Sequence, residues 1–221
     1  HRDLHSFPTR RSSDLRAYSR IIGSHSRSKC TNHQINILKM SEKSKWTFEK
    51  STLGEDLRMF KVRKDLFRHG DQQFVASILE AQDSANVVAI TDHLEVVLVD
   101  IFRFGSRDRS LEIPGGMVDS GEEPLQAAQR ELLEETGYSA KEWSYLGYCY
   151  SNPVFMDSKV HHFVAYQASP YTSPTPEPAE DIQIQLVPVE RIAVMAFQMI
   201  HHPHTLSALS RAIKLKPLVQ L

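Results

Sequence analysis

The stretch IPGGMVDSGEEPLQAAQRELLEETGY runs from Ile113 to Tyr138 and sets Glu131, Glu134 and Glu135 within little more than one helical turn. Its punctuation predicts a helix over residues 124–136. Pro124 suits a first turn, where a missing N–H does no harm, and Gly137 suits a left-handed C-cap. At 3.6 residues per turn Glu131 and Glu135 stack one above the other, with Glu134 one position to the side. Arg130 reaches Glu134 by i,i+4 spacing. Gln126, Arg130, Glu131 and Glu134 then form a polar face, and Leu125, Ala127, Ala128 and Leu132 an apolar stripe. Carboxylates so close raise one another's pKa unless a cation neutralises them. An all-oxygen donor set favours Mg²⁺, Mn²⁺ or Ca²⁺ over zinc. The pair Gly115–Gly116 lets backbone approach closely, so a main-chain carbonyl can complete the shell. Such a site suits a diphosphate, since Mg²⁺ handles phosphate chains through a few carboxylates and open water positions.

The flanking sequence reads as strands on both sides of this helix. FKVRKDLFRH (60–69) and QQFVASILE (72–80) have strand character around a Gly–Asp turn. ANVVAIT (85–91) and EVVLVDIFRF (95–104) flank the short connection DHL, and their unbroken Val/Ile/Leu content predicts burial on both faces. SLEIP (110–114), WSYLGYCYS (143–151) and KVHHFVAYQAS (159–169) follow. PYTSPTPEPAE (170–180) holds four prolines and is an extended loop. IQIQLVPV (182–189) alternates as a half-buried strand does. PVERIAVMAFQMI and HTLSALSRAIKLK close the chain as two helices. The order predicts an α+β fold with helices packed on a mixed sheet.

Composition narrows the function classes. The chain has 221 residues, 41% hydrophobic and 24% charged, with a net charge of −1. No apolar run approaches the ~20 residues that cross a bilayer, so no membrane partner is expected. Cys30 and Cys149 alone exclude a disulfide framework or a cysteine zinc site and suit a reducing, cytoplasmic setting. Residues 1–39 carry eight Arg/Lys against Asp3 and Asp14, leaving 18 basic and 25 acidic residues beyond them. A basic, Ser/Arg-rich tail can be a transit peptide or a nucleic-acid arm. HSFPTRRSSDL (5–15) instead looks like a sequencing adapter read in one frame. The tail is therefore set apart as non-native, the natural start is expected at Met40, and no nucleic-acid partner is expected.

From Gly116 through Glu122, Arg130-Glu131-Leu132, Glu134-Glu135 and Gly137-Tyr138, the central stretch resembles the Nudix box at every defining position. The resemblance implies a Nudix-type α/β/α sandwich around a mixed β-sheet, with the hydrolase domain over residues 85–221. Residues 40–84 would supply extra N-terminal strands for dimerisation and for covering the substrate. It further implies Mg²⁺, with Mn²⁺ as a substitute, held by Glu131, Glu135, Glu134 and the Gly115 carbonyl. Arg130 would orient the glutamates and Glu122 would support the loop. Glu134, Arg130 and a loop general base would make up the catalytic machinery. Glu180 in EPAEDIQIQLVP fits that base, with Glu177 second.

Three features resemble the ADP-ribose pyrophosphatase subgroup. Arg103 stands where a residue contacts substrate phosphates, although Ile101-Phe102-Arg103 replaces the usual Gln-Tyr-Arg. Pro153 matches a typical proline, and residues 40–84 match the added strands. Met117, beside the glycine pair, and Trp46, able to stack on adenine with Phe48 nearby, complete the expected substrate contacts. The expected reaction is Mg²⁺-dependent cleavage of a nucleoside diphosphate sugar, ADP-ribose giving AMP and ribose 5-phosphate, in a homodimer. Alternatives are another nucleoside diphosphate derivative, an oxidised nucleotide, or a sensing module that binds without cutting. His161, His162 and the HHPH run (201–204) read as surface or cap histidines, and Cys149 as a small core residue.

Overall fold

The computed structural model describes residues 44–215, with side chains to residue 212. The basic tail, Cys30 and the expected start at Met40 lie outside the described residues. In chain order come β1 (Thr47–Asp56), β2 (Lys61–His69), β3 (Gln72–Glu80), β4 (Ser84–Thr91), β5 (Glu95–Arg103), β6 (Asp108–Glu112) and β7 (Gly115–Met117). After them follow α1 (Pro124–Thr136), β8 (Tyr138–Ser139), β9 (Glu142–Tyr150), β10 (Lys159–Pro170), β11 (Ile182–Pro188), α2 (Val189–Gln198) and α3 (Pro203–Leu215).

β4 to β11 form an eight-stranded sheet whose spine runs β11-β5-β4-β10-β8, with β6 on β5, β7 on β4 and β9 on β10. β4 and β10 are parallel, from Val160↔Ser84 to Ala168↔Thr91, while β5 and β11 are antiparallel. The sheet is mixed, as expected.

Its two faces are read from the period-2 alternation of β4. Ala85, Val87 and Ala89 face α1 in a core with Val97, Ala127, Ala128, Leu132 and Phe163. Val88 and Ile90 face the other way, onto α2 and α3, with Val96, Leu98, Val164, Ile192 and Leu209. Helices on both faces make the α/β/α sandwich. Each large side chain buried here contributes roughly 1.5–3 kcal/mol. The α1 face is lined by alanines, so the helix lies close to the sheet and brings its carboxylates up to β7.

Three details depart from the sequence reading. Leu125 is exposed, and the inward stripe of α1 is Ala127, Ala128, Leu132 and Glu135. In β11, Ile184 and Leu186 are exposed and only Val187 is buried. That strand sits at the sheet edge, so pairing with β5 defines it rather than burial. Finally, β1 is a strand although all ten of its residues are exposed. It has no apolar alternation to announce it and forms by pairing with β2 from Thr47↔Arg68 to Asp56↔Lys61.

β1, β2 and β3 make a separate antiparallel sheet. It is tied to the main body by the Leu79 N–H, which donates to the Phe155 carbonyl (2.7 Å). Arg63 adds a 2.8 Å ion pair with Asp157.

Candidate functional site

The site is built where the alanine-lined helix α1 meets the glycine pair of β7. Helix α1 starts at Pro124 and ends at Gly137, whose φ of 71° is the left-handed cap. A side chain at Gly137 would collide with the Thr172 carbonyl. The proline-rich loop is strapped to this helix end. The N–H groups of Tyr171 and Thr172 donate to the Gly137 carbonyl, and that of Thr175 to the Glu134 carbonyl.

Gly115 is demanded by packing. A Cβ there would stand 2.5 Å from both the Ala85 carbonyl oxygen and the Asn86 Cβ. At Gly116 the obstacle would be the carboxylate of Glu131 itself. The glutamate side chain thus lies directly on the bare Cα of the second glycine.

Arg130 organises the polar face. Its Nε donates to Glu122 Oε1 (3.1 Å) and its Nη2 to Glu122 Oε2 (3.0 Å). Nη1 donates to Glu131 Oε1 (2.7 Å) and Glu134 Oε2 (3.1 Å), and Nη2 also to the Met117 carbonyl (2.9 Å). The planar guanidinium is fully committed, so it fixes where the carboxylates stand. Its titration lies above the usual range, first through the Glu122 bonds.

Glu135 faces inward and is 3% exposed. It accepts the Gly115 N–H at 3.0 Å. Burial pushes its carboxyl up to about 8, against the help of that N–H and with the repulsion of Glu131 and Glu180. Burial likewise raises Glu131, against Arg130 and with Glu134 and Glu180 adding to the rise. Carboxyl oxygens whose burial resists ionisation are the donor set a hard divalent ion would suit, because the bound ion favours their charged form. Among the described residues no three His, Cys, Asp or Glu side chains already converge as a ligating group. Arg130 holds Glu131 and Glu134, and Glu135 is turned to Gly115.

Glu180 is brought in by the strap. Its charge acts on Glu131, Glu135 and Arg103, while its Oε2 accepts the Glu177 N–H at 2.9 Å. Glu177 itself is exposed.

Beside the glycines opens a cavity of about 380 Å³, lined by Arg103, Glu112, Gly115, Gly116, Met117 and His202 among others. Arg103 grips Glu112 through Nε–Oε1 (2.9 Å) and Nη2–Oε2 (2.8 Å). Burial alone would raise the Glu112 carboxyl, but Arg103 and His202 hold it below the usual carboxylate range. Trp46 is not on this cavity. It lines a separate apolar one of about 390 Å³ with Phe67 and Phe74 on the N-terminal sheet.

Sequence reasoning missed Glu112, His202 and His204. A glutamate within the apolar run SLEIP was the available signal for the first. His201 is exposed and His202 caps the start of α3, as read, but a surface reading fails for three of the rings. His202 is half-buried on Glu112 (3.1 Å), and His204 bonds the Ser151 carbonyl. His162 is fully buried, bonded to Asn86 Oδ1 (2.8 Å) and to the half-buried Cys149 Sγ (3.3 Å). Inward-facing strand positions, once satisfied, accept polar residues that look like surface ones in sequence.

Comparison with known proteins places this geometry in context. The model of the NUDIX domain family matches residues 80–208, more than half of the chain. The chain is 39% identical over 92 residues to the ADP-ribose pyrophosphatase of Bacillus subtilis, covering 42% of this chain and 50% of that one. To the ADP-sugar pyrophosphatase of Mus musculus it is 33% identical over 114 residues, covering 49% and 50%. It thus spans about half the length of these curated relatives. A crystal structure of an ADP compounds hydrolase superposes with a TM-score of 0.68 at 22% identity, covering 79% of this chain and 95% of that one.

Proposed function

We propose, since this chain belongs to the NUDIX domain family, that it hydrolyses the diphosphate bond of a nucleoside diphosphate sugar, with ADP-ribose as the leading substrate. The carrying observation is the convergence of Glu131 and Glu135 on the bare backbone of Gly115 and Gly116. The names of the relatives, ADP-ribose and ADP-sugar pyrophosphatases, support the sugar-linked substrate.

Glu131, Glu135, Glu134 and the Gly115 carbonyl would hold Mg²⁺, or Mn²⁺ in its place. A divalent ion bound there supplies charge neutralisation for the diphosphate and acidifies water. Arg130 keeps the carboxylates in place as a positioning residue. Arg103 spends Nε and Nη2 on Glu112, so Nη1 is left to meet a phosphate oxygen. Glu180 removes a proton from the attacking water. Water adds across the P–O–P bridge, one phosphoryl group keeping the nucleoside as AMP and the other leaving as ribose 5-phosphate.

The reading includes a cytoplasmic homodimer, joined through the three-stranded sheet. Its support is the row Phe48, Phe67 and Phe74, which lie opposite one another across β1, β2 and β3, Phe48 and Phe74 being exposed.

A panel of ADP-ribose, other nucleotide sugars, dinucleotide polyphosphates and oxidised nucleoside triphosphates, run at several Mg²⁺ concentrations, tests the proposal. AMP and ribose 5-phosphate should accumulate fastest from ADP-ribose. Far better cleavage of a triphosphate overturns the substrate, and binding of a nucleotide sugar without cleavage at any Mg²⁺ or Mn²⁺ level identifies a sensor instead.

A further inference from the structure

The segment between α2 and α3 contributes two rings to the wall of the 380 Å³ cavity, His202 and His204, opposite no partner that uses all their nitrogens. His202 Nδ1 lies 3.1 Å from Glu112 Oε2 and 3.2 Å from Thr205 Oγ1. Glu112 is almost fully buried and, gripped by Arg103, is an anion that can only accept. Nδ1 must therefore carry the proton. In the neutral ring this leaves Nε2 as a lone-pair acceptor, and no described residue donates to it. Burial, helped by the charge of Arg103, holds His202 below the ordinary histidine range against the pull of Glu112, so the neutral ring prevails at physiological pH. His204 stands edge-on to it, ring centroids 5.1 Å apart. Its Nε2 donates to the Ser151 carbonyl at 3.3 Å, which makes its Nδ1 a second acceptor.

A cavity that offers one guanidinium donor and two imidazole acceptors is selective. At neutral pH a terminal phosphate carries oxygens that accept and repel a lone pair. A sugar carries hydroxyls that donate. We infer that His202 is a specificity-determining residue whose Nε2 accepts a hydroxyl of the sugar beyond the diphosphate, and so favours nucleoside diphosphate sugars over nucleoside triphosphates. This rests on the proposed function for the class of ligand, and it names the residue that sorts within that class.

Asparagine can place its Nδ2 where histidine has Nδ1, so His202→Asn keeps a donor to Glu112 and deletes the acceptor. His202→Gln sets an acceptor near the lost Nε2. Binding of ADP-ribose and of ATP to the full chain is measured calorimetrically without divalent ions, alongside turnover with Mg²⁺. Wild type should prefer ADP-ribose, and His202→Asn should shrink that preference by about 3- to 10-fold, the worth of one neutral hydrogen bond, with His202→Gln recovering part of it. If both ligands weaken equally, His202 only supports Glu112 and the inference is overturned. It is also overturned if wild type shows no preference. If the preference is present and responds as stated while nothing is hydrolysed, the inference stands and the hydrolase reading alone falls.

Discussion

The backbone N–H of Gly115 donates to the carboxylate of Glu135 across 3.0 Å, joining a strand glycine to a helix side chain that is 3% exposed. One hydrogen bond does not offset the cost of a buried charge beside Glu131 and Glu180. That imbalance is what a bound cation would relieve. Glu135→Gln keeps the acceptor oxygen and removes the ionisable group, which the unfolded chain ionises at pH 7 and the metal-free fold resists ionising. The metal-free variant should be more stable than wild type by roughly 1–3 kcal/mol in denaturant unfolding, while hydrolysis falls by about 100-fold or more. A variant that is less stable and still active would break the link between burial and function.

Gly115 and Gly116 fail differently when each gains a methyl group. At Gly115 the obstacles are the Ala85 carbonyl and the Asn86 Cβ, which cannot turn away. Gly115→Ala should therefore destabilise by roughly 2–4 kcal/mol. At Gly116 the obstacle is the end of a flexible glutamate. Gly116→Ala should cost less than about 1 kcal/mol yet displace Glu131 and lower turnover by about 100-fold. Paired thermal melts and rates distinguish the two, and equal stability losses would refute the packing argument.

Glu180 and Glu177 share one turn, and the charge of Glu180 acts on Glu131, Glu135 and Arg103, whereas the Glu177 side chain is exposed. Glu180→Gln should lower kcat by about 10²–10⁴-fold, the range for a general base. Glu177→Gln should stay within about twofold, because its part in the turn is played by its backbone N–H. The reverse ranking would move the base to Glu177.

Much of this is legible in the sequence. Pro124 and Gly137 marked both ends of α1, and 3.6-residue spacing put Glu131 beside Glu135. Continuous apolar runs located β4 and β5. What sequence hid was of two kinds. β1 and β11 are held by pairing, so TFEKSTLGED carries no apolar period and the alternation of IQIQLVP points Ile184 and Leu186 outward. The second kind is long-range. Nothing local tells that His202 lands on Glu112, ninety positions earlier in the chain, or that His162 turns inward to Asn86.

The aromatic row on the N-terminal sheet carries the dimer proposal. Phe48 packs edge-on to Phe67, ring centroids 5.8 Å apart, and Phe74 lies opposite Phe67 in register. Phe74→Lys should dissociate the dimer, doubling the fraction of monomer or more in light scattering at micromolar concentration. Val75 is equally exposed but points to the other face of the strand, so Val75→Lys should leave the assembly intact. A monomeric wild type, or dissociation by both changes alike, would remove the sheet as the interface.

His162 makes the stability of the fold sensitive to acid. Burial, with the charges of Arg211, His204 and His161, lowers its titration to about 4, against about 6.5 in an unfolded chain. The folded state thus disfavours the protonated ring. Stability from this residue is fully present above the unfolded value and is lost as pH falls through about 4, because the unfolded chain binds the proton first. The difference corresponds to at most about 3 kcal/mol across that window. Its neutral tautomer is set by Asn86 Oδ1, which can only accept and so takes the Nδ1–H, leaving Nε2 to accept the Cys149 thiol proton. His162→Gln can engage Asn86 and Cys149 without titrating. Denaturant midpoints at pH 7.5, 6 and 4.5 should fall more steeply for wild type than for the variant, even if the variant is less stable at pH 7.5. Parallel slopes would mean that the proton enters the folded ring as readily as the unfolded one, and the buried hydrogen-bonded histidine would not be the acid-sensitive element.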